Sequence, residues 1–322
     1  THSSGSNNPL YTTITGAPSC ATTATSGGPS GGGSPVGSYP ITCTRGTLGA
    51  ANYTFVFQPG TLTVQQAPLT ITANDKTMPY GTIPSVTWTG SGFVNGESAA
   101  TLATAPNSVP TCRAMVNGAA VSTTTSPGRY PGAITCQNAA DTNYTITYAG
   151  GTLTVDPLLS LDERGLPTSG VPHQAMLDGQ TVTLPKTNVE VAYGSVHRYS
   201  FPATVTDGSG AIYITADAGF SGTITANISD TATYQTMAQA ISAALASGGI
   251  ANGGQANALT RQFNAVQADI KASHTAQALA DLHSFAAHVR AQSGKHIATA
   301  TAQALLAAAQ LVYASQGGAG AV

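Results

Sequence analysis

Apolar and polar side chains alternate over most of the chain before Thr233, which is the pattern of β-strands with one buried face. Residues 53–57 form one such run and residues 144–148 another. Each run is followed, after a glycine-containing turn, by a Leu-Thr-Val segment. The pattern predicts short strands joined by tight turns, in at least two similar copies.

The similarity between the copies extends over a long segment. The sequence GSYPITCTRGTLGAANYTFVFQPGTLTV, which begins at Gly37, returns as GRYPGAITCQNAADTNYTITYAGGTLTV from Gly128. Tyr53 thus returns as Tyr144, 91 positions later. Tandem β units form arrays in which each unit contacts mainly its neighbours. We predict an incomplete β unit over residues 1–65 and a complete one over residues 66–155.

The pattern beyond the second copy predicts two further domains. Alternation and glycine turns continue over residues 156–232 and indicate an Ig-like β domain. Helical spacing begins at Thr233, where apolar residues fall three or four positions apart, and predicts a bundle over residues 233–316, with Ser273 as one N-cap and a tail over 317–322. The predicted fold is multidomain and mainly β, with tandem small β-sandwich or β-grasp-like units, an Ig-like unit and a C-terminal α-helical bundle.

Each of the two copies carries one pair of cysteines, and the chain has four in all. A pair that recurs with the repeat favours a bond inside each unit, so we predict Cys20–Cys43 and Cys112–Cys136. Four free thiols are the alternative. Closing such a loop stabilises a unit by roughly 3 kcal/mol in the chain-entropy model. Disulfides are typical of oxidising compartments, which predicts a secreted or cell-surface location.

Composition narrows the classes of partner. Charged residues make up 7% of the chain, and the net charge of −2 provides no field that would attract nucleic acid. No apolar run has the length of a membrane span, and no signal peptide opens the chain. The first residue is Thr and not Met, which we interpret as a processed protein or a fragment. We therefore expect neither nucleic acid nor a membrane span.

Several short motifs resemble one family of bacterial repeats. LTITANDKTMPYG, GFVNGE, the Asn-Tyr-Thr triplets and the GTLTV segments are similar to MBG repeats of the YGX type, which occur in bacterial surface and adhesin-like proteins. The likeness covers residues 66–155 and, through the internal repeat, residues 1–65. It implies a bacterial extracellular protein. The cysteines depart from the family, whose repeats usually lack them.

The helical end resembles a second family. LADLHSFAAHVRAQSGKHI is similar to FIMAH domains, which close many secreted bacterial polypeptides; the matching positions are Phe285, His288, Val289, Gly294, Lys295 and Ile297. That likeness covers residues 248–315 and implies an extracellular module without an established catalytic role. The segments of residues 156–232 resemble small Ig-like modules of secreted prokaryotic proteins.

The first copy lacks part of the repeat. The alignment leaves no counterpart of residues 66–92 before Thr1, which predicts an open sheet edge and exposed apolar side chains. One explanation is a boundary of the fragment or of processing. The other is that a neighbouring subunit supplies the missing strand.

Motifs for catalysis and cofactor binding do not emerge from the sequence. It contains no GxSxG, Walker or GxGxxG motif in a suitable context, and Asp162 and Glu163 are adjacent and point to opposite faces of a strand. Four histidines of the helical region have spacings that do not suit a zinc site. We expect no enzyme activity, cofactor or metal. The sequons at Asn52, Asn143 and Asn227 are predicted to have structural roles.

Two functional hypotheses remain. The leading one is a non-enzymatic extracellular structural protein, a stalk or filament subunit that binds copies of itself through β-strand complementation of the incomplete unit. The alternative is a carbohydrate- or surface-binding accessory region of a larger secreted hydrolase or adhesin, with surface glycans as partners. Its candidate stacking residues are Trp88, Tyr193, Tyr199 and Tyr213.

Overall fold

The computed structural model describes residues 14–27 and 32–322, and the chain divides into two compact units. The first comprises Thr1–Thr125 and Arg129–Thr154, and the second comprises Ser126–Gly128 and Val155–Val322. Strands dominate up to Thr236 and helices follow, which confirms the predicted multidomain, mainly β fold with a helical end.

The described part of the first repeat forms one antiparallel sheet. Its strands, in the order β1-β2-β3, are β1 (Ser19–Thr22), β2 (Gly37–Thr44) and β3 (Gly60–Val64). Cys20 lies opposite Cys43 in the β1–β2 ladder, and the two are joined by a disulfide. Residues 53–57, which alternation predicts as a strand, are not one. That prediction was wrong, because a strand also needs a hydrogen-bonded partner.

The second repeat contains the same elements and several more. They are β4 (Ala67–Ala73), β5 (Lys76–Pro79), β6 (Trp88–Ser91), α1 (Ala99–Leu102), β7 (Thr111–Val116), β8 (Ala119–Ala120), β9 (Gly128–Gln137), β10 (Tyr144–Ala149) and β11 (Gly151–Asp156). One sheet has the order β10-β4-β6 and the other β5-β11-β9-β7-β8. Buried side chains come from both sheets, among them Leu69, Ile71, Ile134 and Leu153. Cys112 and Cys136 are opposed and bonded, like their counterparts.

The β part of the second compact unit has ten strands among the described residues. They are β12 (Leu158–Arg164), β13 (Gln174–Leu177), β14 (Gln180–Thr183), β15 (Lys186–Glu190), β16 (Val196–Ser200), β17 (Thr204–Thr206), β18 (Ile212–Ile214), β19 (Phe220–Thr223), β20 (Ile228–Thr233) and β21 (Gln235–Thr236). The sheet orders are β15-β12-β20, β14-β13-β16-β19 and β17-β18-β21. Strand β12 runs parallel to β20, as β4 runs parallel to β10.

The helical end consists of four helices, α2 (Met237–Ala246), α3 (Gly253–Lys271), α4 (Thr275–Gln292) and α5 (Thr299–Ser315). Phe263 and Phe285 are buried at its centre, with ring centroids 5.6 Å apart. Ile212 and Ile214 of β18 belong to the same buried cluster. The prediction that Ser273 is an N-cap was wrong, because Ser273 does not cap α4. Its φ of 62° places it in the left-handed position that ends α3, and His274 is the N-cap.

No helix in the described part of the chain is both long and apolar enough to cross a bilayer.

Candidate assembly site on the first repeat

Among the described residues, the two repeats differ most around residues 53–58 and their counterpart, β10. In the second repeat, β10 pairs with the parallel strand β4, with Tyr144 opposite Ala67 and Ala149 opposite Thr72. The counterpart of β10 in the first repeat is the segment of residues 53–58, which has no regular structure. The counterpart of β4 falls before Thr1 in the alignment. The segment of residues 53–58 therefore has the sequence of a strand and lacks its ladder.

Side chains at equivalent positions of the two repeats differ in their exposure to solvent. Tyr144 is 3% exposed, whereas Tyr53 is 55% exposed. Leu153 is fully buried, whereas Leu62 is 39% exposed. The identical residue types are thus core residues in one copy and surface residues in the other. We call Tyr53, Leu62 and the outer edge of β3 the open site.

The outer edge of β3 is the second component of the open site. In the second repeat, β11 lies between β5 and β9, so both of its edges are hydrogen-bonded. Within the described residues, β3 pairs with β2 alone. An exposed row of N–H and C=O groups is a template for another strand. The open site therefore combines unpaired backbone with exposed apolar side chains.

In the second repeat, two hydrogen bonds fix the hydroxyl of Tyr144. The Tyr144 hydroxyl donates to Glu97 Oε2 at 2.5 Å and accepts from the Val94 N–H at 3.0 Å. Burial, followed by the hydrogen bond to Glu97, raises the pKa of Tyr144 to about 12. The counterparts of Val94 and Glu97 fall within residues 1–13, outside the described residues. The Tyr144 hydroxyl is thus neutral and held in one orientation in the second repeat.

The sequon asparagines occupy one recurring structural position. Asn143 precedes β10, and its side-chain oxygen accepts from the Val36 N–H at 3.2 Å while its carbonyl accepts from the Ala67 N–H at 3.0 Å. Asn227 precedes β20 and accepts from the Leu158 N–H at 2.9 Å. The Asn227 side chain thus holds the first residue of β12 beside the start of β20, whereas the Asn143 side chain binds the segment before β2. Both side chains make structural hydrogen bonds, which supports the predicted structural role. The third, Asn52, is exposed beside the open site.

The aromatic residues proposed for ligand stacking are differently placed. Trp88 is half-buried on β6 of the first compact unit, and Tyr193 and Tyr213 are half-buried in the second. Tyr199 is only 4% exposed; it stacks on Phe220, and its hydroxyl donates to Asp230 at 2.8 Å. Burial raises its pKa well above the ordinary value. Tyr199 is a core residue, so it cannot stack on a sugar.

One cluster in the second unit has the residue types of a catalytic triad, which sequence inspection did not predict. His197 lies 2.8 Å from Ser195 Oγ through Nε2 and 2.7 Å from Asp178 Oδ2 through Nδ1. The Ser195 hydroxyl, however, donates to the Ala192 carbonyl at 2.5 Å. Its proton is therefore directed at the Ala192 carbonyl and not at the imidazole. The backbone N–H of Arg198, then His197, lowers the pKa of Asp178.

Three further histidines have separate partners. His288 bridges Gln255 and Gln262 at 2.8 and 2.7 Å, and His283 contacts the Tyr313 hydroxyl at 3.1 Å. His173 pairs with the buried carboxylate of Glu163. Throughout residues 14–27 and 32–322, no group of three His, Cys, Asp or Glu side chains is placed to hold a metal ion.

Comparison with known proteins identifies two domain families. No curated protein matches the chain. Among solved structures, the Bacillus anthracis TIE protein is 11% identical over 62% of this chain and 41% of that one, with a TM-score of 0.17, which is too low to indicate a shared fold. The chain thus spans less than half of that protein. Residues 69–154 match the MBG domain of the YGX type and residues 234–314 match the FIMAH domain, the two families and the order that the sequence predicted.

Proposed function

We propose that this protein is a non-enzymatic extracellular structural protein, a stalk or filament subunit whose open site is completed by a β-strand from a second copy. Matches to an MBG and a FIMAH domain, together with two disulfides, suggest a surface or adhesin-like extracellular protein. The observation that carries the finer proposal is the exposure of Tyr53 and Leu62, whose counterparts Tyr144 and Leu153 are buried.

The second repeat indicates what completion of the site would contribute. A strand placed like β4 would give residues 53–58 a parallel ladder, and a strand placed like β5 would cover the edge of β3. Fully burying a large apolar side chain contributes about 1.5–3 kcal/mol, and Tyr53 and Leu62 are both partly accessible. Strand addition combines backbone hydrogen bonds with side-chain pockets, so it is both strong and directional.

The geometry of such a contact favours a filament. Donor and acceptor surfaces differ, so the interface is heterologous and propagates unless its rotation closes a ring. The two candidate donors considered from the sequence, the linker of residues 156–162 and the C-terminal tail, are unavailable in the folded chain. Residues 158–164 form β12, which is already paired with both β15 and β20, and Val322 is 4% exposed within the helical core. We therefore expect a donor that lies outside these segments.

A fusion tests the proposal. We expect the protein to assemble into fibres, visible by negative-stain microscopy and sedimentation. A copy of residues 66–92 fused ahead of Thr1 should close the site internally and yield a monomer. The matched control is the same fusion with aspartate at the two positions copied from Leu69 and Ile71, which cannot enter a core and should assemble like the parent protein. Assembly of the intact fusion, or a monomeric parent protein at high concentration, contradicts strand complementation.

A photo-crosslinking residue at Leu62 identifies the donor. The side chain lies in the open site, so irradiation of assembled material should link it to one segment of a neighbouring copy. Peptide mapping then gives the residues of that segment. Crosslinks scattered over many segments would contradict a specific strand donor.

The accessory-region hypothesis has a narrower basis. Trp88 and Tyr193 are half-buried aromatic residues that retain some accessible surface. Binding of the monomeric fusion to a glycan array, lost in Trp88→Ala or Tyr193→Ala, would favour this function over self-assembly.

A further inference from the structure

The described part of the loop between β1 and β2 is held together by hydrogen bonds within the loop. The Thr25 N–H donates to Ser34 Oγ at 2.8 Å, and the Ser34 N–H donates to the Thr25 carbonyl at 3.2 Å. The Thr25 hydroxyl donates to the Gly32 carbonyl at 2.6 Å. Segments rich in glycine and serine usually behave as flexible chains. Here these bonds join the two sides of the loop, so the loop presents a defined surface.

Two glycines of this loop enclose a side chain of the second repeat. A Cβ added at Gly27 would overlap Asn95 Oδ1, and one added at Gly33 would lie 2.5 Å from Asn95 Nδ2. Neither glycine has a positive φ, so the backbone itself would accept alanine at both positions. The Asn95 amide, and not backbone strain, therefore excludes a side chain from both positions. We call Gly27 and Gly33 the glycine slot.

The side chain in the glycine slot extends from a rigid turn. Asn95 and Gly96 have φ of 54° and 72°. The Glu97 N–H donates to the Val94 carbonyl at 3.0 Å, so the four residues form a type I′ turn. The buried Tyr144 hydroxyl binds the residues on both sides of this pair, Val94 and Glu97. Asn95 therefore projects into the first repeat from a fixed point of the second.

A second contact joins the repeats where the loop ends. The Val36 N–H donates to Asn143 Oδ1 at 3.2 Å. The covalent link between the repeats, Gln65 and Gln66, joins β3 to β4. Each residue of a link retains two soft dihedral angles, so the link alone does not fix an orientation. The glycine slot and the Val36 hydrogen bond supply the additional points of attachment that an orientation requires.

We infer that the glycine slot is a docking site for the Asn-Gly turn of the following repeat, and that this contact fixes the angle between the two repeats. The partner that the slot fits is a type I′ turn with a short amide side chain at its first central position. The shape of a tandem array follows from the rotation between successive units, so the slot determines the shape of this pair. The inference goes beyond the proposed function, because it concerns a contact inside one chain and does not require assembly.

Distances between spin labels test whether the slot fixes the angle. The labels are non-canonical amino acids in place of Thr42 on β2 and Thr111 on β7, which are exposed strand positions outside the loop. Labelled chain is diluted in unlabelled chain, so only distances within one chain are measured. The parent chain should give one narrow distance distribution. Asn95→Gly keeps the turn, because glycine accepts a positive φ, and should broaden the distribution.

An alanine in the slot should have the same effect from the other side of the contact. Gly27→Ala expels the Asn95 amide and should broaden the distribution. The Val36 amide should exchange about tenfold faster in both variants, because its hydrogen bond to Asn143 then opens more often. The matched control is Gly37→Ala, where a Cβ meets only a tyrosine ring at 3.7 Å or more. It should give the parent distribution and the parent exchange rate.

The two substitutions together show whether they act through one contact. In the Asn95→Gly chain the slot is empty, so adding Gly27→Ala should broaden the distribution no further. Further broadening would mean that the alanine acts on the loop itself, which overturns the role of the slot. A broad distribution in the parent chain, or a narrow one in Asn95→Gly, overturns the fixed angle and leaves strand complementation intact. A narrow distribution in a parent chain that stays monomeric contradicts strand complementation alone.

Discussion

The first and second repeats share a sequence but not a core. Both have a three-strand framework, β1-β2-β3 in one and β7-β9-β11 in the other, and each is fastened by one disulfide. Within residues 14–27 and 32–322, strands placed like β4 and β5 occur in the second repeat alone, and the shared tyrosine and leucine are buried there and exposed in the first. The difference shows that a motif specifies a fold only together with the strand that completes it. Residues 53–58 have strand sequence, yet they form no strand without a partner.

The largest expected difference concerns the shared leucine. Leu153→Ala should cost the second repeat about 2–5 kcal/mol of unfolding free energy, because the side chain is fully buried. Leu62→Ala should cost no more than about 0.5 kcal/mol, because Leu62 is partly exposed. The single tryptophan, Trp88, lies on β6, so its fluorescence follows the denaturation of the second repeat. Amide hydrogen exchange of β2 reports the stability of the first repeat. Equal costs for the two substitutions would contradict the comparison.

Removal of each disulfide should affect the two repeats differently. The bonds close loops of similar length, with sequence separations of 23 and 24, so each contributes roughly 3 kcal/mol in the chain-entropy model. We expect a chain with Cys112→Ser and Cys136→Ser to retain a folded second repeat of lower stability. A chain with Cys20→Ser and Cys43→Ser should lose the amide protection of β2 altogether, since three strands with an open site retain little else. Retained protection of β2 would show that the first repeat is already completed.

The tyrosine hydroxyl provides a smaller contrast. Tyr144→Phe should cost about 1.5–3 kcal/mol, because Glu97 loses its partner in a poorly solvated place. Tyr53→Phe should leave the exchange of β2 unchanged. Denaturant titrations followed through Trp88 measure the first substitution. Its control is Tyr148→Phe in the same strand, at a tyrosine that is 42% exposed.

Alkaline pH should weaken the second repeat through the same residue. The pKa of Tyr144 is raised to about 12 by burial and Glu97, while an unfolded tyrosine has a pKa of about 10. The folded state then binds more protons between these values, so this contribution to stability is complete below pH 10 and declines as the pH rises towards 12. In the parent chain, the denaturant midpoint followed by Trp88 fluorescence should fall between about pH 9.5 and 11.5. Tyr144→Phe should make this fall less steep. An unchanged slope would contradict the assignment.

Local sequence patterns predicted the element types better than their pairing. Alternation located β4 and β10, but it contains no information that the two run parallel, since that depends on contacts between residues far apart in sequence. Aromatic Tyr199 was grouped with candidate ligand contacts because alternation does not distinguish the two faces of a strand. The open site was predictable from the missing counterpart of residues 66–92.

The parallel pairing of β4 with β10 has a mechanical consequence. Only Gly150 separates β10 from β11, and one residue is too short to reverse the chain, so β11 continues in the direction of β10. Tension on the polypeptide would pull the beginning of β4 one way and the end of β11 the other. The ladder between β4 and β10 is then loaded in shear, with its hydrogen bonds sharing the force instead of opening one after another. Strands β12 and β20 repeat the parallel pairing, so a load between the start of β12 and the end of β20 is borne in the same way.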